Sequence, residues 1–240
     1  MNNQHSVWPV IMKRELVAFF TSPVAYIVTG LFLIFSGFLF FSTFFLVNRA
    51  ELRNFFSFLP ILFAFFVPAL TMRLLAEEKR SGSLETLMTL PVSALDVVLG
   101  KFLAVFLFTA SMLVPTLIYA LTAGLMGHLD GGPLVGGYLG ALFLAAGFAA
   151  IGLFASSVTK NQIIAFFVAF TLCMLLALID RFLVILPAAV VSQLEFLSSG
   201  FHFESIARGI IDTRDLVYFL TLTVLFLGLT VRVMADRRAA

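Results

Sequence analysis

Between Val24 and Val47 the chain carries no charged residue, and sixteen of these twenty-four positions are Val, Leu, Ile or Phe. At about −0.3 to −0.6 kcal/mol each on an insertion scale, those side chains favour a bilayer by about 5–10 kcal/mol. A helix rises about 1.5 Å per residue, so about 20 residues cross a hydrocarbon core of about 30 Å. A run of this kind is a membrane span, and inside lipid its backbone must satisfy its own hydrogen bonds. Charge-poor stretches of similar length recur, and spans are expected at about 24–47, 55–73, 98–127, 134–157, 161–180 and 214–233. Pro60 and Pro68 interrupt the second, which is expected to bend. Asp130 with Gly131-Gly132-Pro133 marks a hairpin between the third and fourth. The sixth has only sixteen uncharged residues, Leu216 to Val231, so Arg232 must snorkel or the bilayer must thin.

Composition supports the same reading. Of 240 residues, 61% are hydrophobic and 12% charged, against about 45–50% and about 25% in a soluble domain. A soluble globular protein is excluded, and six helices leave no room for a separate domain. The expectation is one all-α polytopic domain over residues 1–240. A net charge of +2 without a basic block makes nucleic acid an implausible partner. Cys173, the single cysteine, is read as a small packed residue. The apolar run after Lys13 and Arg14 is as long as a full span and lacks a small-residue cleavage site, so the N-terminus is expected to be retained. Before it, Trp8, Ile11, Met12, Leu16, Phe19 and Phe20 recur at helical spacing, with Lys13 and Arg14 off the stripe. This predicts an amphipathic helix at about 5–20 lying in the membrane interface.

Lys and Arg set the orientation. With both termini inside, ten fall on the cytoplasmic side: Lys13, Arg14, Arg73, Lys79, Arg80, Lys101, Lys160, Arg232, Arg237 and Arg238. Five fall outside: Arg49, Arg53, Arg181, Arg208 and Arg214. Asp212 and Asp215 at the start of the last span and Arg232 near its end match the helix dipole.

One inner loop, at about 74–96, is patterned. It holds five charges between Glu77 and Glu85, which would cost roughly 12–17 kcal/mol at the bilayer centre, so it lies outside the hydrocarbon. Gly82 permits a sharp turn and Ser81 or Ser83 can cap a helix. Glu85 suits a first turn, and Leu84, Leu87 and Met88 give an apolar edge that ends at Pro91. Ser93 with Asp96 forms a capping-box-like start for the third span. A short helix with an apolar edge and charged flanks suits docking into a partner's groove. The plainer reading is a polar loop on lipid headgroups with Glu77, Glu78, Lys79 and Arg80 solvated.

The stretch Met72-Arg73-Leu-Leu-Ala-Glu-Glu-Lys-Arg-Ser-Gly-Ser-Leu-Glu-Thr-Leu-Met-Thr-Leu-Pro-Val-Ser, followed by Gly100-Lys101, resembles the signature of ABC-2 type transporter permeases. Within them it is most similar to the short permeases of the gliding-motility and nitrous-oxide-reductase maturation type. His202-Phe203-Glu204-Ser205-Ile206-Ala207-Arg208-Gly209-Ile210-Ile211-Asp212-Thr213-Arg214-Asp215-Leu216-Val217-Tyr218 resembles the stretch before their last span. The resemblance implies a permease subunit that couples ATP hydrolysis on a separate ATPase to export or mechanical work. It also implies a bacterial inner membrane, a second permease copy or related permease, and an accessory protein as a further partner. ATP and Mg would sit on the ATPase, with no cofactor on this chain. Glu77, Glu78, Arg80, Gly82, Ser83, Glu85, Leu87 and Pro91 would then couple to the ATPase, with Leu87 as docking knob. The segment at about 182–211 would form an outer gate with Asp180, Arg181, Pro187, His202 and Glu204.

Other chemistry has little footing. No GxxxxGK[ST] phosphate loop, HExxH helix, nucleophile elbow or CxxC pair is present, so the chain is expected not to be an enzyme. His5, His128 and His202 are scattered, and His202 with Glu204 is half a metal site. Ser156-Ser157 and Thr159-Lys160-Asn161 are read as capping an inner turn. Asp180-Arg181, at the end of a span, is read as an outer lid rather than an intramembrane functional pair. Phe38, Phe40, Phe41, Phe44 and Phe45 are read as lipid-facing filler. Phe182 to Val191 is apolar, contains Pro187 and is too short to cross, so it is re-entrant or interfacial. The alternatives are a secondary transporter or channel, which should carry intramembrane carboxylates or basic residues and often a repeat, and a membrane scaffold subunit of a larger complex.

Overall fold

The computed structural model describes residues 7–47, 52–84, 92–126, 130–182, 195–210 and 212–239. Among them every regular element is helical. In chain order these are α1 (Trp8–Thr21), α2 (Pro23–Val47), α3 (Arg53–Thr71), α4 (Ala76–Ser81), α5 (Ala94–Leu113), a 3₁₀ turn (Val114–Thr116), α6 (Leu117–Met126), α7 (Gly131–Val158), α8 (Gln162–Phe182), α9 (Ser199–Ala207) and α10 (Thr213–Ala239). Among the described residues six helical stretches are long and apolar enough to cross a membrane. The molecule is therefore an all-α polytopic membrane protein.

The spans form a bundle around α7, which packs against α3, α5, α8, α9 and α10. Its backbone is lined with Gly and Ala that let neighbours approach. At Gly136 a Cβ would collide with the carbonyl oxygen of Ile206, so α9 rests on bare backbone there. The core fills with aromatic rings: Phe32 packs edge-on against Phe66, Phe55 against Tyr119, and Phe56 against Tyr138. Outward faces of α2, α8 and α10 expose Ile34, Phe38, Ile163, Phe167, Leu220 and Val224, as lipid-facing surfaces do. Cys173 is fully buried.

Several sequence expectations are refined. The third crossing is broken: Pro115 lacks an N–H and its ring clashes with the preceding turn, so α5 gives way to the 3₁₀ turn before α6 resumes. The Ser111 carbonyl, four residues before Pro115, accepts from Val114 N instead, and the Thr116 hydroxyl donates to the Leu113 carbonyl at 2.6 Å. α3 runs through both Pro60 and Pro68 as one helix. The Gly131-Gly132-Pro133 stretch forms the first turn of α7 after Asp130 rather than a separate turn. α10 continues well past Arg232. Phe40 is core rather than filler, stacked on Tyr119 with centroids 5.0 Å apart, whereas Phe38 is exposed. The side chains of Phe44 and Phe45 lie outside the described residues.

α1 does not lie free on lipid. Ile11 and Phe19 are buried, while Phe20, expected on the same stripe, is exposed and only edges against Phe108. The helix packs along the start of α5, where a Cβ on Gly100 would come within 2.8 Å of Ile11 and 2.9 Å of the Trp8 carbonyl. That close approach puts Glu15 beside the first turns of α5.

Candidate functional site: a charged platform where the second and third spans meet

Beyond α3 the chain turns through Met72–Leu75 and enters α4, whose first N–H groups have no partner within the helix. Leu75 at the N-cap has no side-chain acceptor to offer. A neighbouring helix supplies one: Ser156 Oγ of α7 accepts from Leu75 N (3.1 Å) and Ala76 N (3.0 Å) and donates to the Met72 carbonyl (2.9 Å). The capping reading of Ser156 therefore holds, with the cap delivered between helices. Arg73, in the turn, donates to Ser22 Oγ at 3.0 Å and lies 5.4 Å above the Phe19 ring, fastening the junction to the α1–α2 corner. α4 ends at Gly82 with φ +76°, the left-handed region that glycine enters without a Cβ penalty.

Below α4 lies an ion cluster. Lys101 Nζ, on a side chain only 1% exposed, donates to Glu78 Oε1 at 2.7 Å and Glu15 Oε1 at 3.0 Å. Arg14 adds 2.8 Å to Glu15 and 3.4 Å to Glu78. Burial by itself raises the Glu15 carboxyl, but the Lys101 charge and the hydrogen bonds from Arg14 and Lys101 hold it below the usual carboxylate range. One buried ammonium thus joins α1, α4 and α5. An open cleft of about 280 Å³ sits between α1 and α4, lined among others by Glu15, Phe19, Arg73, Glu77 and Glu78.

Of the expected coupling residues, Glu77, Glu78, Arg80, Gly82 and Ser83 are brought together on and just after α4; Glu85, Leu87 and Pro91 lie outside the described residues. α4 precedes Gly82; after it Ser83 and Leu84 are helical, and the remainder of the stretch on which the sequence pattern places a helix lies outside the described residues. Nor are the charges all solvated: the Glu78 side chain is 20% exposed and Lys79 is buried. Ser93 does cap α5, accepting from Asp96 N at 3.0 Å. Sequence reasoning missed Arg14, Glu15 and Lys101 as a unit. The available signals were that Glu15 is the only acid among the first fifty residues and that Lys101 stands one turn inside an apolar run.

At the opposite end, the expected gate residues divide between two faces of α9. His202 is buried against Asp215 of α10, with Nδ1 2.6 Å from Oδ1. Glu204 instead pairs with Arg208 at 2.8 Å and shares a small cavity with Asp180 and Arg181. Asp180 accepts from Ser198 Oγ at 3.3 Å and lies 3.7 Å from Arg181 Nε. Gly209 closes α9 with φ +86°. Pro187 lies outside the described residues. His202 and Glu204 do not converge, and no group of three His, Cys, Asp or Glu suited to a metal occurs among the described residues.

A search of curated proteins finds no match. Residues 52–231 match the family described as ABC-2 family transporter protein, which is 180 of the 240 residues and takes in everything from the start of α3 to most of α10. With six apolar helices and three quarters of its length matched, the chain belongs to the ABC-2 transporter family, as a multi-pass transmembrane permease.

Proposed function

We propose that this chain is the non-catalytic membrane half of an ATP-driven export complex, and that a separate ATPase docks on the α4 platform. In this reading the platform faces the cytoplasm of a bacterium, the protein sits in the inner membrane, and both termini are inside. ATP and Mg bind the ATPase subunit. The observation that carries the reading is the mechanical character of α4. It projects Glu77 and Arg80 at a bundle end yet is tied by Lys101, Glu78 and Ser156 to α5, α1 and α7. Force applied to a surface helix reaches the spans only if the contacts between them are stiff, and buried charge-assisted hydrogen bonds supply that stiffness. Glu77, Glu78, Arg80, Gly82, Ser83, Glu85, Leu87 and Pro91 form the docking stretch, with Leu87 entering the ATPase and the charges setting register.

Two copies, or one copy and a related permease, meet in the membrane. Closure of the two ATPase subunits tilts the spans and opens the segment at about 182–211, with Asp180, Arg181, Pro187, His202 and Glu204 around the outer gate. The work goes to export or to an accessory protein outside, as resemblance to the gliding-motility and nitrous-oxide-reductase maturation permeases suggests. Co-purification with an ABC ATPase subunit tests the reading. Leu87→Asp and Glu85→Lys are expected to abolish association and transport; unchanged association in both overturns the docking assignment. Labels at Arg181 and Arg208 whose separation stays constant through ATP turnover overturn the gate.

A further inference from the structure

α1 packs one side on α5 and leaves the other open. The open side is a single stripe: Val10, Lys13, Val17 and Phe20 stand three or four positions apart, so they lie above one another on the helix. All four are exposed, Val10 at 69% and Val17 at 53%. Arg14 flanks the stripe on the side of α4, where it is engaged with Glu15 and Glu78.

The apolar part of the stripe belongs in lipid. Only Ser22 separates α1 from α2, and the outward face of α2 continues it with Val24, Ile27, Leu31 and Ile34, all exposed. Two groups mark the depth of the corner. Arg73 donates to Ser22 Oγ, so a guanidinium reaches that level from the loop. Tyr26, 61% exposed in the first turn of α2, occupies the level that amphipathic rings prefer at a membrane–water boundary. α1 therefore lies among the headgroups, with Val10, Val17 and Phe20 on the side of the acyl chains.

Lys13 stands in the middle of these apolar side chains. Among the described residues it has no ion pair and no hydrogen bond. The acids on the helices packed nearby are already engaged: Glu15 and Glu78 by Lys101 and Arg14, and Asp96 by the Ser93 hydroxyl. A lysine so placed lays its apolar stem along hydrocarbon and lifts its ammonium to the headgroups. A zwitterionic headgroup leaves that unit charge uncompensated, whereas an anionic one neutralises it.

We propose that the open face of α1 is a binding surface for anionic phospholipid, with Val10, Val17 and Phe20 seated in the acyl region and the Lys13 ammonium on the headgroup. The lipid adds a fastening to the platform. α1 carries Glu15, one of the two carboxylates around Lys101, so a lipid that holds α1 at the interface also holds one wall of the cleft between α1 and α4. The surface stands independently of where an ATPase docks and of which side of the membrane α4 faces.

The test uses the full chain, whose single tryptophan is Trp8. Trp8→Phe with Val17→Trp puts the sole indole on the stripe, one turn from Lys13. Trp8→Phe with Ile34→Trp puts it on an uncharged, lipid-facing part of α2, 66% exposed, as the control. Each variant is reconstituted in bilayers of equal parts phosphatidylcholine and phosphatidylglycerol, with bromine in the upper acyl chain of one lipid or of the other. Quenching then reports which lipid lies beside the indole. Phosphatidylglycerol is expected to be preferred about fivefold at position 17, the weight of one basic side chain beside an anionic surface, with no preference at position 34. Adding Lys13→Gln should bring the ratio at position 17 to that of the control, and Lys13→Arg should keep it. Equal quenching at position 17, a preference shared by position 34, or one that survives Lys13→Gln overturns the surface. So does an indole at position 17 that neither lipid quenches, since protein then covers the face.

Discussion

Lys101→Met tests the physical basis of the platform most directly. The substitution keeps the length of the side chain and its apolar stem, and deletes only the buried charge. Two carboxylates, on Glu15 and Glu78, then face each other, with side chains 12% and 20% exposed. Removing one partner of a buried ion pair costs about 3–5 kcal/mol, because the remaining charge is left in a low-dielectric site. Arg14 stays within 2.8 Å of Glu15 and 3.4 Å of Glu78, but its side chain is 59% exposed and screened by water. It offsets part of the loss, which puts the expected cost at the lower end, about 3 kcal/mol, or roughly a hundredfold in the folding equilibrium. Reversible unfolding in mixed detergent micelles reads this number, and exchange at α1 and α4 peptides localises it. The companion variant carries Lys101→Met with Glu15→Gln and Glu78→Gln, which leaves only the 59% exposed Arg14 without a carboxylate and no uncompensated buried charge, and is expected to recover most of the loss. A single-variant cost below about 1 kcal/mol, or a triple variant no more stable than the single one, would refute the claim that one ammonium binds the three helices.

Three further outcomes are expected. Ser156→Ala strips the acceptor from Leu75 N and Ala76 N and should destabilise by about 1–3 kcal/mol, with faster exchange confined to the start of α4. Gly82→Ala forces a side chain into the left-handed region at about 1–2 kcal/mol; beyond its chain neighbours no atom of the described residues lies within 4 Å of the new Cβ, so the cost is conformational, and Gly82→Asn should recover part of it in the same unfolding assay. Because Glu15 is held below its unfolded value, its contribution to stability is fully present above the ordinary carboxylate range, near about pH 4.3, and is lost as pH falls through the lower folded value. Stability of the wild type should therefore drop on acidification below that range, and Glu15→Gln should lack that part of the drop.

Much of the architecture was legible because lipid imposes a one-dimensional rule. A charge-free run of about 20 residues must be a helix across the membrane, so the spans and the all-α class follow from local composition. Local chemistry also marked Gly82 as the turn and Ser93 as a cap, since each depends on one residue and its immediate backbone. The pattern failed where the partner is remote in sequence. Glu15 and Lys101 are 86 positions apart, and Ser156 caps residues about 80 positions before it. Nothing in the local hydropathy around Phe20 says that α1 turns its other side to α5. His202 drew attention through Glu204, two residues away, yet its ring is aimed at Asp215 on another helix.

The sequence by itself determined that this is a six-span membrane protein with one charged loop of the ABC-2 type, because the cost of putting charge or open backbone in hydrocarbon is paid residue by residue and is readable in order. Only the tertiary structure decided which charges are partnered. Burial of Lys101, the cap from Ser156 and the contact between His202 and Asp215 all arise from helices laid side by side, where a few ångströms separate groups that the chain keeps apart.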